Sequence, residues 1–310
     1  MLHRQELACV TRWYSEMEME SKVPYTRHRV TELYLWSLGA YFEPQYYQAR
    51  VILAIALIIF TVVDDIYDAY GTLEELELFT DAMEKWLPAA PNGIPDSMKH
   101  MYRVTEDFYD KIEEQFEKEG RSGCGFHLKK SFKSTLSGYI KEAKWLKKDY
   151  IATFDEYKEN VIFSSGYYGV IAVAFAGMVD VANLDAYEWL SSHPKIRVAS
   201  ETICRFTDDI SSYEFEHKRE HVATGIDCYM KQFGVSKERA VEVIRNIASD
   251  AWKDLNQELM RPHSYPFPLL MRILNLSRVI DVFYRYQDAF VHPEFLKEHI
   301  VSVLIETIPI

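Results

Sequence analysis

The stretch Val51–Asp68, VILAIALIIFTVVDDIYD, decides how this chain is read. From Val51 to Val63 it is apolar apart from Thr61, and it then runs directly into Asp64 and Asp65. At 1.5 Å per residue this run falls well short of the roughly 30 Å of a bilayer core. A buried core helix is therefore expected, not a membrane span. On a helix, Asp64 and Asp68 lie four residues apart and about 40° around the axis, so their carboxylates share a face. Exposed like charges at that spacing repel by a few tenths of a kcal/mol. At the end of an apolar helix they cost far more unless a cation neutralises them. Oxygen donors with no His or Cys nearby suit a hard ion such as Mg²⁺. A solvated acidic helix end is the competing explanation, and the long apolar run ahead of the pair weighs against it.

A second acidic pattern lies in residues 199–216, ASETICRFTDDISSYEFE. Asp208, Ser212 and Glu216 fall at i, i+4 and i+8, a stripe that drifts about 40° per step down one helix face. Carboxylate, hydroxyl and carboxylate in a row form an all-oxygen site for one Mg²⁺, with room left for water or phosphate oxygens. Asp209 points about 100° away from Asp208 and is the weaker candidate. Two such patterns on separate helices suggest a cavity with carboxylates on opposing walls.

The rest of the chain reads as helix as well. Val104–Glu119 places Val104, Phe108, Ile112 and Phe116 on one face, Phe126–Lys148 continues similarly, and Lys237–Met260 carries Ala240, Ile244, Ile247 and Leu255. Strand alternation is nowhere sustained. Breaks are expected at Leu87–Pro95, Gly120–Gly125, His193-Pro194 and Arg261–Pro268, the last a loop of a length that can cover a pocket mouth. Ser164-Ser165-Gly166 interrupts another helical stretch: glycine costs about 1 kcal/mol there relative to alanine, and serines compete for the backbone. No repeat or linker divides the chain, so the expectation is one all-α domain over 1–310.

Composition narrows the function classes. With 35 basic residues against 47 acidic ones the net charge is −12, which opposes sequence-independent nucleic-acid binding. Anions would have to be held through metal cations or a local Arg cluster. The four cysteines, Cys9, Cys124, Cys204 and Cys228, lack metal or redox spacing and read as free thiols. With His3, Arg4 and Glu6 ahead of any apolar run, no secretory signal or transit peptide is expected at the start of this sequence. The ten histidines show no H-E-x-x-H, which argues against zinc.

Taken together these residues resemble a plant class I terpene synthase, most of all the cytosolic sesquiterpene synthases. Asp64–Gly71 (DDIYDAYG) matches the family's aspartate-rich motif. Asp208, Ser212 and Glu216 match its second metal motif, and Arg27-His28-Arg29 its RxR segment. Leu33–Arg50 and the end of the chain are also typical, so the resemblance covers the whole sequence. It implies the helical-bundle fold of the class I terpenoid synthases with a central active-site cavity, and it implies the catalytic α domain alone, without the helical domain that usually precedes it. A cytoplasmic location is expected, with the plastid left open if the N-terminus is trimmed.

The resemblance also implies a chemistry. The substrate would be a prenyl diphosphate, farnesyl diphosphate in first place, and the products a sesquiterpene and diphosphate. Three Mg²⁺ ions would be held by Asp64 and Asp68, with Asp65 in support, and by Asp208, Ser212 and Glu216, with Mn²⁺ as a substitute. Arg27, Arg29 and Arg205 would bind the diphosphate, since the guanidinium fork donates two hydrogen bonds and keeps its proton. Trp36, Tyr167, Tyr284 and Phe290 would shield carbocations, and the Ser164-Ser165-Gly166 break would lie near the developing charge. A prenyl-chain-elongating transferase carries two DDxxD motifs, whereas residues 208–212 here read DDISS. A C10 or C20 substrate, and a domain that binds diphosphate without turnover, stay open, as does the oligomeric state.

Overall fold

The structure, a computed structural model, describes residues 2–218, 221–263 and 265–306. In chain order its helices are α1 (Leu2–Glu16), α2 (Met19–Lys22), α3 (Val30–Ala40), α4 (Tyr47–Asp65), α5 (Leu73–Lys85), α6 (Asp96–Lys118), α7 (Cys124–Lys147), α8 (Phe154–Ser164) and α9 (Tyr167–Ala176). They continue with α10 (Leu184–Ser191), α11 (Lys195–Glu216), α12 (Gly225–Phe233), α13 (Lys237–Glu258), α14 (Phe267–Tyr284) and α15 (Lys297–Ile300). No strand occurs among the described residues. The fold is all-α, as expected from the sequence.

The apolar run becomes the central helix. α4 buries Leu53, Ala54, Leu57, Ile58, Ile59, Phe60, Val62 and Val63, which leaves almost no solvent-facing side. It packs between α3 and α9, and every residue of α9 is buried. α7 lies against α5, α6, α8 and α9, while α11 is flanked by α13 and α14. A smaller apolar cluster of Trp145, Phe154, Tyr157, Phe206, Ile226 and Ile244 ties the end of α7 and the start of α8 to α11, α12 and α13. No helix among the described residues is long and apolar enough to cross a membrane. Cys9 is exposed and the other three cysteines are buried, all as free thiols.

Helix limits follow side-chain chemistry. α8 and α12 open with reciprocal caps, Thr153 with Glu156 and Thr224 with Asp227, which satisfy backbone N–H groups left over in the first turn. α6 begins two turns before Val104 because Met98, Met101 and Tyr102 extend its buried stripe. The described residues of the Arg261–Pro268 segment do not line the cavity described below. Tyr265 stacks on Trp189 at 4.2 Å and donates its hydroxyl hydrogen to the Asp185 carbonyl at 3.0 Å, which pins the segment to α10. From Phe267 the chain is already α14. Ser264 lies outside the described residues.

Candidate active site

α4, α7, the α8–α9 junction, α11 and the segment after α14 surround a cavity of about 1420 Å³ of non-atom space, part of it open at the mouth. Asp64 and Asp68 line one wall; Asp208, Ser212 and Glu216 line another. The aspartate-rich stretch is not a continuous α-helix. α4 stops at Asp65, and Ile66–Tyr70 forms a π-type turn closed by the Gly71 amide donating to the Ile66 carbonyl at 2.8 Å. Such widened turns place side chains that a regular helix would rotate away, and they gather at functional sites. Here Asp68 still faces the cavity with Asp64.

The carboxylates crowd one another. Burial pushes Asp64 up to about 6, a shift that Arg27 opposes and Asp65 reinforces. Asp68 is exposed at the cavity mouth, yet desolvation within the cavity, then the Asp64 charge, holds it above the usual carboxylate range. On the facing wall burial, followed by Asp208, lifts Glu216 to about 9. Asp208 is raised by burial and by Asp288, and accepts a hydrogen bond from Ser212 Oγ at 2.6 Å. Asp64 is about a third exposed, but it opens into the confined cavity, where water is sparse and other acids are near. The shared cause is negative charge in a poorly hydrated space, which bound cations would reverse.

Two arginines reach the cavity. Arg27 is held by Asp65 through its backbone N–H at 2.9 Å, Nε at 2.8 Å and Nη2 at 2.6 Å, and Nη2 lies 3.3 Å from Asp64. Asp65 is thereby turned away from the lining and occupied with Arg27. Arg29 is off the lining too: its Nε donates to the Phe290 carbonyl at 3.0 Å. Arg205 lines the cavity. Its Nε donates to the Tyr157 hydroxyl at 3.0 Å, and that hydroxyl donates to Asp209, 2.7 and 2.8 Å from its two oxygens. Asp209 also accepts from the Gly225 amide at 3.2 Å. It stays off the lining and braces Arg205 from behind.

Trp36, Tyr167, Tyr284 and Phe290 all line the cavity. Trp36 sits at their centre, with ring centroids 5.4 Å from Phe290, 6.2 Å from Tyr284 and 6.3 Å from Tyr167. The Tyr167 hydroxyl donates to the Leu276 carbonyl at 2.9 Å, so the ring, not the oxygen, is what the cavity meets. Ser164, Ser165 and Gly166 line it at the α8–α9 break, where Gly166 adopts a φ of +70°. A left-handed backbone there suits glycine and stops the helix.

Sequence reasoning passed over several lining groups. Glu142 and Asp288 belong to no stripe, and each is a lone acid on its own element. Tyr139, Phe60 and Thr61 line the cavity from faces that read as ordinary core. Tyr157 carried no signal at all, since its role depends on Asp209 pointing backwards, as the helical wheel already implied.

An all-α bundle whose cavity carries acidic stripes on facing walls defines the class I terpenoid synthase fold. Solved structures bear this out. A limonene synthase with 2-fluorolinalyl diphosphate superposes with a TM-score of 0.93 at 25% identity, over 99% of this chain and 57% of that one. Isoprene synthase from grey poplar, in complex with three Mg²⁺ ions and dimethylallyl-S-thiolodiphosphate, superposes at 0.90 with 30% identity, over 99% and 59%.

The chain belongs to the terpene synthase family: residues 15–254 match the family model described as "Terpene synthase family, metal binding domain". It is 78% identical over its full length to an alpha-humulene/(-)-(E)-beta-caryophyllene synthase of Arabidopsis thaliana, of which it covers 57%. It is 44% identical to a sesquiterpene synthase of Santalum austrocaledonicum, over 98% of this chain and 55% of that protein. The chain thus spans little more than half the length of these relatives.

Proposed function

We propose that the chain ionises a prenyl diphosphate, farnesyl diphosphate in first place, and guides the cation to a sesquiterpene with release of diphosphate. The carrying observation is the pair of facing acidic walls with Arg27 and Arg205 between them and an aromatic wall beyond. The 78% identity to a synthase named for two sesquiterpenes supports the C15 substrate.

The donor set fits Mg²⁺. Carboxylate and hydroxyl oxygens converge without His or Cys among the proposed ligands, and their raised pKa values report uncompensated negative charge. Asp64 and Asp68 would hold ions on one wall, and Asp208, Ser212 and Glu216 on the other. Three ions are expected, with Mn²⁺ as a substitute. When bound, the metal neutralises the diphosphate and makes it a competent leaving group.

The chain's own residues do the rest. Arg205, already braced by Tyr157 and Asp209, donates to diphosphate oxygens from a fixed position. Arg27 releases Asp64 and turns to the same oxygens. Arg29 ties the 24–29 segment to the Phe290 carbonyl, so diphosphate capture and the aromatic wall are mechanically linked. Trp36, Tyr167, Tyr284 and Phe290 offer ring faces to the cation, each attraction about 2 kcal/mol when desolvated, and they exclude water that would quench it.

Incubation with C10, C15 and C20 prenyl diphosphates, with Mg²⁺ or EDTA and mass spectrometry of the organic overlay, tests the proposal. A Mg²⁺-dependent C15 hydrocarbon or alcohol supports it. Product only from C10 or C20 corrects the chain length. Absence of product with every substrate, alongside Mg²⁺-dependent stabilisation by a diphosphate analogue, replaces it with a binding domain that does not turn over alone.

A further inference from the structure

Beside the cavity, where α11 ends, His217, His221 and Asp227 each bring one metal-ligating atom to within 4.8 Å of the others. They do not belong to the acidic stripes, and their chemistry differs, with two imidazoles and one carboxylate. His217 Nδ1 lies 2.8 Å from the Tyr213 carbonyl and His221 Nδ1 against the Val222 carbonyl. A carbonyl oxygen can only accept, so each Nδ1 donates, which leaves Nε2 as the nitrogen through which each ring would ligate. This backbone-fixed tautomer is the one found in metal-bound histidines, where the second nitrogen donates to a carbonyl or carboxylate. His217 Nε2 is already 3.1 Å from Asp227 Oδ1, to which it donates, so a bound metal ion would take the place of that proton.

Asp227 is held for the role. Its Oδ2 accepts from the Thr224 amide at 2.9 Å and the Thr224 hydroxyl at 2.8 Å, closing the cap of α12, while Oδ1 accepts from the Tyr213 hydroxyl and from His217 Nε2, each at 3.1 Å. The His217 ring lies tilted against Tyr213 with centroids 3.8 Å apart, and His221 meets it edge-on at 4.6 Å. All three ligands line one shallow cleft with Trp145, Tyr150 and Ile151, and His221 also lines the main cavity.

We infer that His217, His221 and Asp227 form a second metal site, selective for a borderline transition ion of the Zn²⁺ type over Mg²⁺. Imidazole nitrogens favour Zn²⁺, whereas Mg²⁺ prefers oxygen. Around a tetrahedral ion with ligands near 2.1 Å, donor atoms sit about 3.4 Å apart, so ligating atoms now within 4.8 Å of one another must draw together to hold an ion. Solvent completes the coordination. A bound ion ties the end of α11, one residue beyond Glu216, to the first turn of α12, and it braces the rim of the cavity from outside. The inference stands on this cluster alone and does not depend on the proposed reaction.

Calorimetric titration of the purified protein with Zn²⁺ in excess Mg²⁺ tests it. The expected result is one Zn²⁺ per chain, with affinity weakened by at least about 100-fold in His217→Ala and in His221→Ala, since even outer-shell partners are worth 10–100-fold. Asp64→Ala/Asp68→Ala must keep the Zn²⁺ affinity. Co²⁺ bound to the wild type should show the visible absorption of a tetrahedral site, lost in His217→Ala. Unchanged affinity in both histidine variants, no Zn²⁺ binding by the wild type, or loss of binding in the aspartate variant would each overturn it. Helical circular dichroism of each variant separates lost ligation from lost folding.

Discussion

Arg27 grips Asp65 through three nitrogens, its backbone N–H and Nε at 2.9 and 2.8 Å and Nη2 at 2.6 Å, while reaching Asp64 at 3.3 Å. One guanidinium thus partly neutralises the wall that is proposed to hold metal. On the proposed reading, Mg²⁺ and Arg27 compete for Asp64. They cease to compete once a diphosphate offers Arg27 a second anion.

This competition splits the effects of Arg27→Ala. Diphosphate capture loses a donor, and removal of one such donor costs on the order of 10²-fold in turnover. Mg²⁺ binding without substrate should strengthen, because Asp64 is released. Steady-state turnover and Mg²⁺-dependent thermal shift measure the two separately. A variant in which both fall together would show that Arg27 supports the metal wall instead of competing for it.

Asp64→Ala should abolish product formation while leaving helical circular dichroism unchanged. The side chain ends α4 at a cavity wall, and the apolar packing of the helix does not involve it. Full activity would remove the metal assignment.

Arg205→Ala should lose far more turnover than Arg103→Ala, where an exposed side chain only donates to the Lys99 carbonyl in its own helix. Tyr157→Phe should fall between them. It removes the hydroxyl that orients Arg205 and deprives buried Asp209 of a donor, at about 1–3 kcal/mol in stability. Because Arg205 remains present, the effect should appear mainly in KM. A Tyr157→Phe enzyme with wild-type KM and stability would leave Arg205 positioned by other contacts.

Much of this site was legible because its proposed ligands repeat at helical spacing. Asp208, Ser212 and Glu216 declare a shared face from sequence alone, and a carboxylate pair behind thirteen nearly apolar residues is hard to explain without a cation. The π-type turn at Ile66–Tyr70 left no trace in composition, since DDIYD satisfies a regular helix equally well. Glu142 and Asp288 stayed hidden because the fold, not spacing, carries a solitary acid into a cavity. Arg29, expected from its motif to bind diphosphate, lies off the lining here, where the chain beyond α14 takes its Nε through the Phe290 carbonyl.

The pH dependence follows from the raised carboxylates. Glu216 titrates near 9 in the folded protein against an ordinary 4.5, and Asp64 near 6 against 3.8. Such groups favour folding fully at low pH. That contribution is lost as pH rises from about 4 through 9, because the unfolded chain ionises first. Bound Mg²⁺ favours the ionised forms and relieves the loss. The Mg²⁺-induced rise in Tm should therefore be larger at pH 8.5 than at pH 5.5, and EDTA should erase the difference. A Mg²⁺ effect that is flat or falls with pH would mean the ions do not bind these acids.

Gly169 offers a way to reshape the cavity without touching its charged groups. A β-carbon added there would fall 2.3 Å from Phe60 Cζ and 2.9 Å from Cε1, closer than atoms can approach. Phe60 lines the cavity from α4, and α4 and α9 pack closely. Gly169→Ala must therefore push the ring towards the substrate or spread the two helices. The first course alters the contour that folds the cation and leaves the diphosphate clamp alone. The expected outcome is a changed ratio of products with diphosphate release within about threefold of wild type, and a stability cost of about 1–3 kcal/mol from overpacking. Parallel measurement of diphosphate release, hydrocarbon profile and Tm distinguishes the two courses. If Tm falls while the profile holds, the helices have spread and Phe60 does not set the contour. A changed profile with release intact assigns product control to the Gly169–Phe60 contact.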